Sequence, residues 1–581
     1  MKKQTKLVAV LSTAALLAIG ASMTSFAATG WAEEDGTWVY YDRNGDKVTD
    51  KWAKSGNNWY YLDESGEMAV DTLIEDGDNY YYVDVNGVMA ANQWVAIDNE
   101  DAGEDDEPEH YWYYFQANGK AYKQGDSQNV ALKTINGKKY AFDDEGKMLY
   151  GWVAADNAER IDDSDGDAFK DGDYYFGGED DGAMTTGWLL MDVTYDEATS
   201  DYEIAPAFND DEDQSRWFYF KSNGKKVYST KSDETKDKTI NGKKYTFDEN
   251  GAMVAEWSLD IKKASSNLGT SNFVNVEKTG TSAKYSQAWR YFSSVEDGAR
   301  VSKGWFKVVS AEYLNEDKYN DDEDNWYYAD GSGNIYAGEF KTIKGKKYAF
   351  RTDGRMLSGL KFIQKDINGN ITGVKADDDD NYNFDTEDDF LKNAAGYYAE
   401  NDYNCYYFGN GEDGAMKTNK TSITIDGDNF NFYFEKSGST KGAGVNGEKD
   451  DKYYLAGMLL KAGSDEKYQV IYKNANDVYT KLDDVKAFLD QTDLAGCYET
   501  VDVSGEDGEV NFNGAATKKV KDLKEAYVLK NTDAAKSAAA KYILVNTSGS
   551  VVDKKSKSKD GDDYVYVTDR NGVIQGIYVE D

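Results

Sequence analysis

The stretch Trp52-Ala-Lys-Ser-Gly56-Asn-Asn-Trp59-Tyr60-Tyr61-Leu-Asp63-Glu-Ser-Gly66-Glu-Met68 is the unit from which most of this sequence is built. It contains two short aromatic runs joined by turn residues, then a second turn centred on glycine. The unit recurs without a gap every 21 residues, at Trp31, Trp52, Leu73 and Trp94 and again at Gly45, Gly66 and Gly87. A fixed period near 20 predicts a stacked repeat in which neighbouring units bury each other's apolar faces.

Each unit carries the pattern of a β-hairpin. Its glycines follow Asn or Ser and are flanked by alternating aromatic residues, which is a short-range hairpin signal. We therefore predict an all-β repeat protein, a β-solenoid of stacked β-hairpins with acidic loop insertions and minor helices near the C-terminus.

Composition excludes several classes of function. The chain has 581 residues, a net charge of -41, 46 Tyr, 54 Gly and a single His. So acidic a protein repels nucleic acid, and we expect no nucleic-acid partner. Cys405 and Cys497 lie far apart, and we predict no disulfide framework.

The first 27 residues resemble a secretory leader. Lys2, Lys3 and Lys6 precede an apolar run over residues 7–19, and Ser25-Phe26-Ala27 has the small-x-small pattern of a cleavage site. We predict a signal peptide over 1–27 and no membrane span after its cleavage. With no sorting motif at the C-terminus, we expect any attachment to the cell to be non-covalent.

A longer period divides the remaining chain. The segment 134–142 returns at 239–247 and 342–350, at steps of 105 and 103 residues. The predicted divisions are regular 21-residue hairpin repeats at 28–95, three insert-containing super-repeats at 96–418, degenerate repeats at 419–460, an insert region with helices at 461–540, and C-terminal degenerate repeats or a cap at 541–581. The predicted helices lie over 482–489 and 533–541, where apolar residues have helical spacing or Ala is abundant.

Catalytic constellations are weak throughout the sequence. His110 is the single His, and the carboxylates lie in runs typical of solvated surface. The acidic segment 162–167 does not complete a calcium loop, because Ile161 and Gly172 occupy its first and last ligand positions. We predict no catalytic residues, no cofactor and no metal site.

The 13 Trp residues are the most informative feature. All of them occupy repeat positions, at 31, 38, 52, 59, 94, 112, 152, 188, 217, 257, 289, 305 and 326. A Trp in a stack can serve as core, or it can offer a π face to a quaternary ammonium or a sugar ring. The sequence leaves both interpretations open for each Trp.

The motif Trp52-x6-Trp59-Tyr-Tyr-Leu-Asp-x-x-Gly66-x-Met68 closely resembles the choline-binding, or cell-wall-binding, repeat of Gram-positive surface proteins. The segment from Ile135 to Trp152 resembles the same superfamily, and it is also similar to the receptor-binding repeats of clostridial toxins and the glucan-binding repeats of glucosyltransferases. The resemblance implies ligands held between consecutive hairpins by two aromatic residues of one unit and one of the next.

Carried over by position, the resemblance implies two complete aromatic cages. The first consists of Trp31, Trp38 and Tyr61, and the second of Trp52, Trp59 and Tyr82, with Met68 and Met89 nearby. Leu73 and Tyr80 replace both Trp residues of a third cage. Four later pairs have the right residue types but are split by inserts: Trp94 with Trp112, Trp188 with Trp217, Trp257 with Trp289, and Trp305 with Trp326.

These observations favour a secreted, non-catalytic protein bound to the cell wall or cell surface through choline-bearing teichoic acid or wall glycans. The alternative is an extracellular adhesin that binds a host glycan or another polysaccharide. A third hypothesis is a wall enzyme whose catalytic segment lies unrecognised within 461–540.

Overall fold

The computed structural model describes residues 29–103, 107–125, 129–193, 214–229, 237–269, 279–375, 384, 386–401, 403–474, 478–505 and 507–581. The predicted signal peptide lies outside these residues. The chain divides into two compact units, the first formed by 1–198, 211–230 and 247–253, and the second by 199–210, 231–246 and 254–581. None of the helices that the structure describes is both long and apolar enough to span a lipid bilayer.

The repeating element is an antiparallel hairpin of two five-residue strands. In the hairpin that carries the opening motif, Trp52 lies opposite Tyr61 and Lys54 lies opposite Trp59. In the preceding hairpin, Asp35 and Gly36 both have positive φ, of 52° and 89°, as a two-residue turn matching the strand twist requires. The predicted hairpins are thus confirmed for the regular repeats.

Successive hairpins are joined by one recurring backbone hydrogen bond. The Met68 N–H donates to the Trp38 carbonyl at 2.7 Å, and the Met89 N–H donates to the Trp59 carbonyl at 2.9 Å. Equivalent bonds to the preceding hairpin come from the N–H groups of Ala121, Met148, Met184, Lys226, Met253, Arg300, Ile335, Met356 and Met416. The segment after each glycine turn therefore ties its unit to the one before it.

The glycine in the turn after the second strand of a repeat also packs against the preceding unit. Gly87 has a φ of 75°, and a Cβ at this position would lie 2.8 Å from the Sδ and Cε atoms of Met68. Only glycine accepts both the positive φ and the close approach of the Met side chain. The repeated Gly-x-Met pattern is therefore explained by stacking between units.

The first unit is built from two-stranded sheets. Its strands are β1 Gly30–Glu34, β2 Thr37–Tyr41, β3 Lys51–Ser55, β4 Asn58–Leu62, β5 Thr72–Asp76, β6 Asn79–Val83, β7 Gln93–Asp98, β8 His110–Phe115, β9 Lys133–Ile135, β10 Lys138–Tyr140, β11 Trp152–Val153, β12 Tyr174–Tyr175, β13 Gly187–Val193 and β14 Gln214–Phe220. Each strand pairs with its neighbour in sequence, in the order β1 with β2 through β13 with β14.

The second unit begins with hairpins and then changes character. Its first strands are β15 Lys238–Ile240, β16 Lys243–Tyr245, β17 Glu256–Leu259, β18 Trp289–Phe292, β19 Gly304–Val308, β20 Asn325–Ala329, β21 Glu339–Ile343, β22 Lys346–Phe350, β23 Leu360–Lys365, β24 Ile371–Lys375 and β25 Asn404–Tyr407. The last three form one sheet in the order β24-β23-β25.

The remaining strands form wider sheets. They are β26 Asn419–Ile425, β27 Asp428–Phe434, β28 Gly447–Lys449, β29 Lys452–Leu455, β30 Met458–Leu459, β31 Tyr468–Lys473, β32 Tyr479–Lys481, β33 Tyr498–Thr500, β34 Glu509–Asn511, β35 Thr517–Lys519, β36 Leu523–Leu529, β37 Tyr542–Asn546, β38 Ser558–Lys559, β39 Tyr564–Thr568 and β40 Ile574–Glu580. Two five-stranded sheets have the orders β26-β27-β30-β29-β28 and β33-β36-β40-β39-β38. The C-terminal part therefore builds multi-stranded sheets over cores of mixed aromatic and aliphatic side chains.

Helices occur both where the sequence predicts them and elsewhere. They are α1 Ile261–Leu268, α2 Ala283–Ser286, α3 Glu316–Asn320, α4 Glu387–Asn401, α5 Val485–Leu489 and α6 Asp533–Ala539. The last two confirm the predicted helices.

The prediction that the acidic insertions within 96–418 are loops was wrong in part. The longest of the described helices, α4, lies in one of these insertions, and its Phe390 and Ala394 are fully buried in a core with Phe362 and Phe432. Burial of these few apolar residues outweighs the acidic composition that made the insert resemble a solvated loop.

Candidate aromatic ligand-binding sites

In each of the first two predicted cages, one Trp packs against Tyr rings of two successive hairpins. The Trp31 ring centroid lies 5.1 Å from Tyr40 of its own hairpin and 5.0 Å from Tyr60 of the next. Trp52 repeats this arrangement, at 5.1 Å from Tyr61 and 5.0 Å from Tyr81. These are the edge-on and tilted geometries that aromatic pairs prefer.

The structure places Tyr60 and Tyr81 where the sequence analysis placed Tyr61 and Tyr82. Neighbouring residues of a strand point to opposite faces, so Tyr60 faces the preceding hairpin while Tyr61 packs on Trp52 of its own. Tyr61 is buried, and its hydroxyl donates to Asp50. Burial is the larger cause, and this hydrogen bond the second, of the rise in the pKa of Tyr61 to about 12. The Tyr82 hydroxyl donates to Asp71.

The second Trp of each regular repeat is exposed. Trp38 and Trp59 retain 36% and 39% of their surface, whereas Val39 and Leu62 on the opposite faces of the same strands are fully buried. The Lys54 ammonium lies 5.6 Å from the Trp59 ring centroid, within cation-π range. The indole of Trp59 thus already presents its face to a cation from its own hairpin.

Met68 and Met89 pack on the following unit. Met68 lies over Gly87, and Met89 lies in the same way over Gly119. Both side chains are half-buried. They therefore help to stack the hairpins on which the neighbouring Trp residues stand.

The third repeat lacks a Trp pair, and side chains of a hydrophobic core occupy the corresponding position. Leu73, Tyr80 and Tyr82 pack with the buried Tyr113 and Phe115. Tyr82 and Phe115 are stacked with centroids 6.1 Å apart.

The four Trp pairs interrupted by inserts share one geometry. Their ring centroids are separated by 6.3 to 6.4 Å and their planes cross at 80° to 89°: Trp94 with Trp112, Trp188 with Trp217, Trp257 with Trp289, and Trp305 with Trp326. In each case the two Trp residues stand on paired antiparallel strands.

The pairs at Trp94 and Trp305 gain a Tyr from the next hairpin and remain half-buried. Trp94 lies 4.9 Å from Tyr140, and Trp305 lies 4.8 Å from Tyr348. The sequence analysis named the Trp pairs but not these Tyr residues. Their signal was the recurring Lys-Lys-Tyr segment, since Tyr140 and Tyr348 occupy the same position in it.

The pair Trp257 and Trp289 is core. These side chains are 5% and 0% exposed, and the Trp257 indole N–H donates to the Val309 carbonyl at 2.7 Å. Tyr327, also fully buried, fills the position of the third ring. The same residue types therefore leave the Trp pair half-buried at some positions and bury it at another.

Carboxylates accept hydrogen bonds from three of the Trp residues. The indole N–H groups of Trp52, Trp112 and Trp326 donate to Asp76 at 3.0 Å, Asp180 at 3.2 Å and Glu412 at 3.1 Å. The buried Trp31 N–H has no hydrogen-bond partner among the described residues. Sequence reasoning missed these acidic residues, because two of them lie 68 and 86 positions from their Trp.

Metal-binding groups are absent from the described part of the chain. There, no set of three or more His, Cys, Asp or Glu side chains is arranged to hold a metal ion, and the acidic run 377–380 lies outside it. Cys405 and Cys497 are both free thiols.

Comparison with known proteins points to one repeat family. The choline-binding repeat model matches residues 28–73 and 52–94. The chain is 27% identical over 379 residues to glucosyltransferase-S of Streptococcus mutans, across 58% of this chain and 22% of the glucosyltransferase. It therefore spans less than a quarter of that relative's length.

Solved structures of Streptococcus pneumoniae proteins are partly similar. The modular autolysin LytC, in complex with a synthetic peptidoglycan ligand, is 18% identical over 58% of this chain and 55% of its own, with a TM-score of 0.29. The choline-binding domain of CbpL is 24% identical over 39% of this chain and 88% of its own, with a TM-score of 0.24.

Proposed function

Because residues 28–94 belong to the choline-binding repeat family, we propose that this protein attaches non-covalently to choline-bearing polymers of the cell envelope. The ligand-binding residues are Trp31, Trp38, Trp52 and Trp59, with the Tyr residues that pack on Trp31 and Trp52. The protein acts without catalysis, after secretion directed by residues 1–27, and remains at the cell wall or cell surface.

One observation carries this proposal. Trp38 and Trp59 are exposed at 36% and 39% although each stands on a strand whose opposite face is fully buried. Exposing an indole forgoes the hydrophobic stabilisation that the neighbouring Val39 and Leu62 provide. The exposed π face of Trp38 or Trp59 suits a quaternary ammonium, whose charge is attracted to the ring.

The proposal includes a solenoid arrangement within each compact unit. The recurring backbone bond from each Gly-x-Met segment to the preceding hairpin supports such stacking. The sites at Trp94, Trp112 and Tyr140 and at Trp305, Trp326 and Tyr348 extend the set of ligand-binding cages beyond the regular repeats. The divisions at residues 95, 418, 460 and 540 also stay a proposal.

A matched pair of variants tests the proposal in the full-length mature chain. We expect Trp59→Ala to weaken choline binding about 10-fold, measured by equilibrium dialysis, because it removes a cation-π face worth ~1–2 kcal/mol. Phe247→Ala, at a fully buried ring, should instead lower the free energy of unfolding by about 3–5 kcal/mol.

Binding to isolated choline-bearing cell walls gives the cellular readout. The wild-type protein should sediment with the walls and be released by free choline. Absence of sedimentation, together with no change of Trp fluorescence in millimolar choline, contradicts the proposal.

A second candidate function is binding of a polysaccharide, as in an adhesin that recognises host or wall glycans. The observation in its favour is the match to a glucosyltransferase over 58% of this chain. Fluorescence titration with neutral oligosaccharides distinguishes the two, because a choline-binding protein should respond to choline alone.

A further inference from the structure

We propose that Asp76, Asp180 and Glu412 make the aromatic cages beside them select a cation over a neutral group of the same shape. This inference rests on the proposed function and adds the basis of its specificity. An aromatic cage attracts a cation through its π faces but also accepts a neutral apolar group of the same size, so the acidic residues set how strongly the cation is preferred.

Each carboxylate acts at the edge of an indole. The N–H groups of Trp52, Trp112 and Trp326 donate to these carboxylates at 3.0 to 3.2 Å. A negative acceptor on the N–H pushes electron density into the indole ring and strengthens its attraction for a cation. The carboxylate charge also attracts a cation seated on the same ring.

At the Trp112 site the carboxylate lies beside a histidine rather than a lysine. Asp180 lies 3.1 Å from the Nε2 atom of His110, which is charged only when it is protonated. The neighbouring Asp181 is already paired with Lys138 at 3.0 Å.

At the Trp326 site the carboxylate is paired with a lysine. Lys307 approaches Glu412 at 3.2 Å, so the pair has no net charge. The hydrogen bond from Trp326 and, to a lesser extent, the one from Lys307 lower the pKa of Glu412. Glu412 is therefore ionised at neutral pH. Its effect on a cation is smaller than that of Asp180 because Lys307 opposes it.

The first regular repeat lacks such a carboxylate. Ser55 stands 24 residues after Trp31, where Asp76 stands after Trp52, and the Trp31 N–H has no hydrogen-bond partner among the described residues. The difference between the first two sites thus separates the aromatic contribution from the acidic one.

The test compares choline with 3,3-dimethylbutan-1-ol, its neutral isostere, in the full-length mature protein. The test variant carries Asp76→Asn, Asp180→Asn and Glu412→Gln. The control variant carries Asp78→Asn, Asp181→Asn and Asp413→Asn, which changes the net charge equally at neighbouring positions. Dissociation constants are measured by calorimetry at low salt and at 0.5 M NaCl.

We expect the test variant to bind choline about two- to fivefold more weakly at low salt and to bind the alcohol unchanged. The control variant should bind both probes as the wild type does, and high salt should shrink the loss. An equal change for both probes, or the same loss in the control variant, overturns the inference alone. Failure of the wild type to bind either probe overturns the proposed function and the inference with it.

Discussion

Lys226 occupies the position at which several other repeats have Met. It is 4% exposed, its alkyl chain covers Gly251, and its ammonium lies 5.2 Å from the Trp152 ring centroid and donates to the Phe169 carbonyl. Burial lowers the pKa of Lys226 to about 8, against 10.5 in water. The charged form is therefore disfavoured in the folded protein.

Replacing Lys226 with Met should stabilise the protein at pH 7 by ~1–3 kcal/mol, because it removes a buried charge and keeps the packing on Gly251. The unfolded chain binds the proton more tightly, so wild-type stability rises between pH 8 and 10.5 and the advantage of Met disappears there. Urea unfolding at pH 7 and 10 measures both effects. Lys225→Met, at an exposed neighbour, is the control, and a destabilised Lys226→Met at pH 7 contradicts the prediction.

Substitutions at Gly87 and Gly77 distinguish the cost of backbone strain from the cost of overpacking. Both have positive φ, but a Cβ on Gly77 meets nothing within 4 Å while one on Gly87 meets Met68. Gly77→Ala should cost about 1–2 kcal/mol of unfolding free energy from strain alone. Gly87→Ala should cost about 1–3 kcal/mol more through overpacking. Equal losses in chemical denaturation would show that the Met68 contact adds nothing.

At the scale of elements, α4 shows how an acidic insert becomes part of a core. Its first turn contains Glu387, Asp388 and Asp389, which favour a helix N-terminus through the helix dipole. Phe390 then contacts Phe362 and Phe432 with centroids 5.9 and 5.4 Å away. The helix is stabilised by these long-range ring contacts.

Phe390→Ala should lower the unfolding free energy of the second compact unit by about 3–5 kcal/mol, because it opens a cavity in this core. Lys392→Ala, at an exposed position of the same helix, should change it by less than about 0.5 kcal/mol. Thermal unfolding followed by circular dichroism measures both variants. Similar midpoints for the two would mean that α4 does not contribute to the core.

For the whole molecule, a net charge of -41 gives long-range attraction for cations and repulsion within the chain. The Trp residues are spread over both compact units, whereas no Trp follows residue 326. Trp fluorescence therefore reports the repeat-rich part of the molecule and not its C-terminal sheets.

Choline at 100 times its dissociation constant should stabilise the folded protein by about 2.7 kcal/mol per independent site. The resulting rise of the Trp-monitored melting temperature should decrease in 1 M NaCl, since salt screens the attraction of the cation. The neutral isostere at the same concentration serves as the control. A melting temperature that choline leaves unchanged contradicts this expectation.

The repeating hairpins, the Trp pairs and the two C-terminal helices follow from the sequence alone, because local turn chemistry and residue periodicity specify them. Which ring faces which depends on the tertiary structure. Because side chains alternate along the strand, Tyr60 packs on Trp31 of the preceding hairpin. Trp257 and Trp289 are buried in the core, whereas Trp38 and Trp59 are exposed. The pairing of Trp112 with Asp180 and the burial of α4 depend on contacts between residues far apart in the chain, which no local pattern encodes.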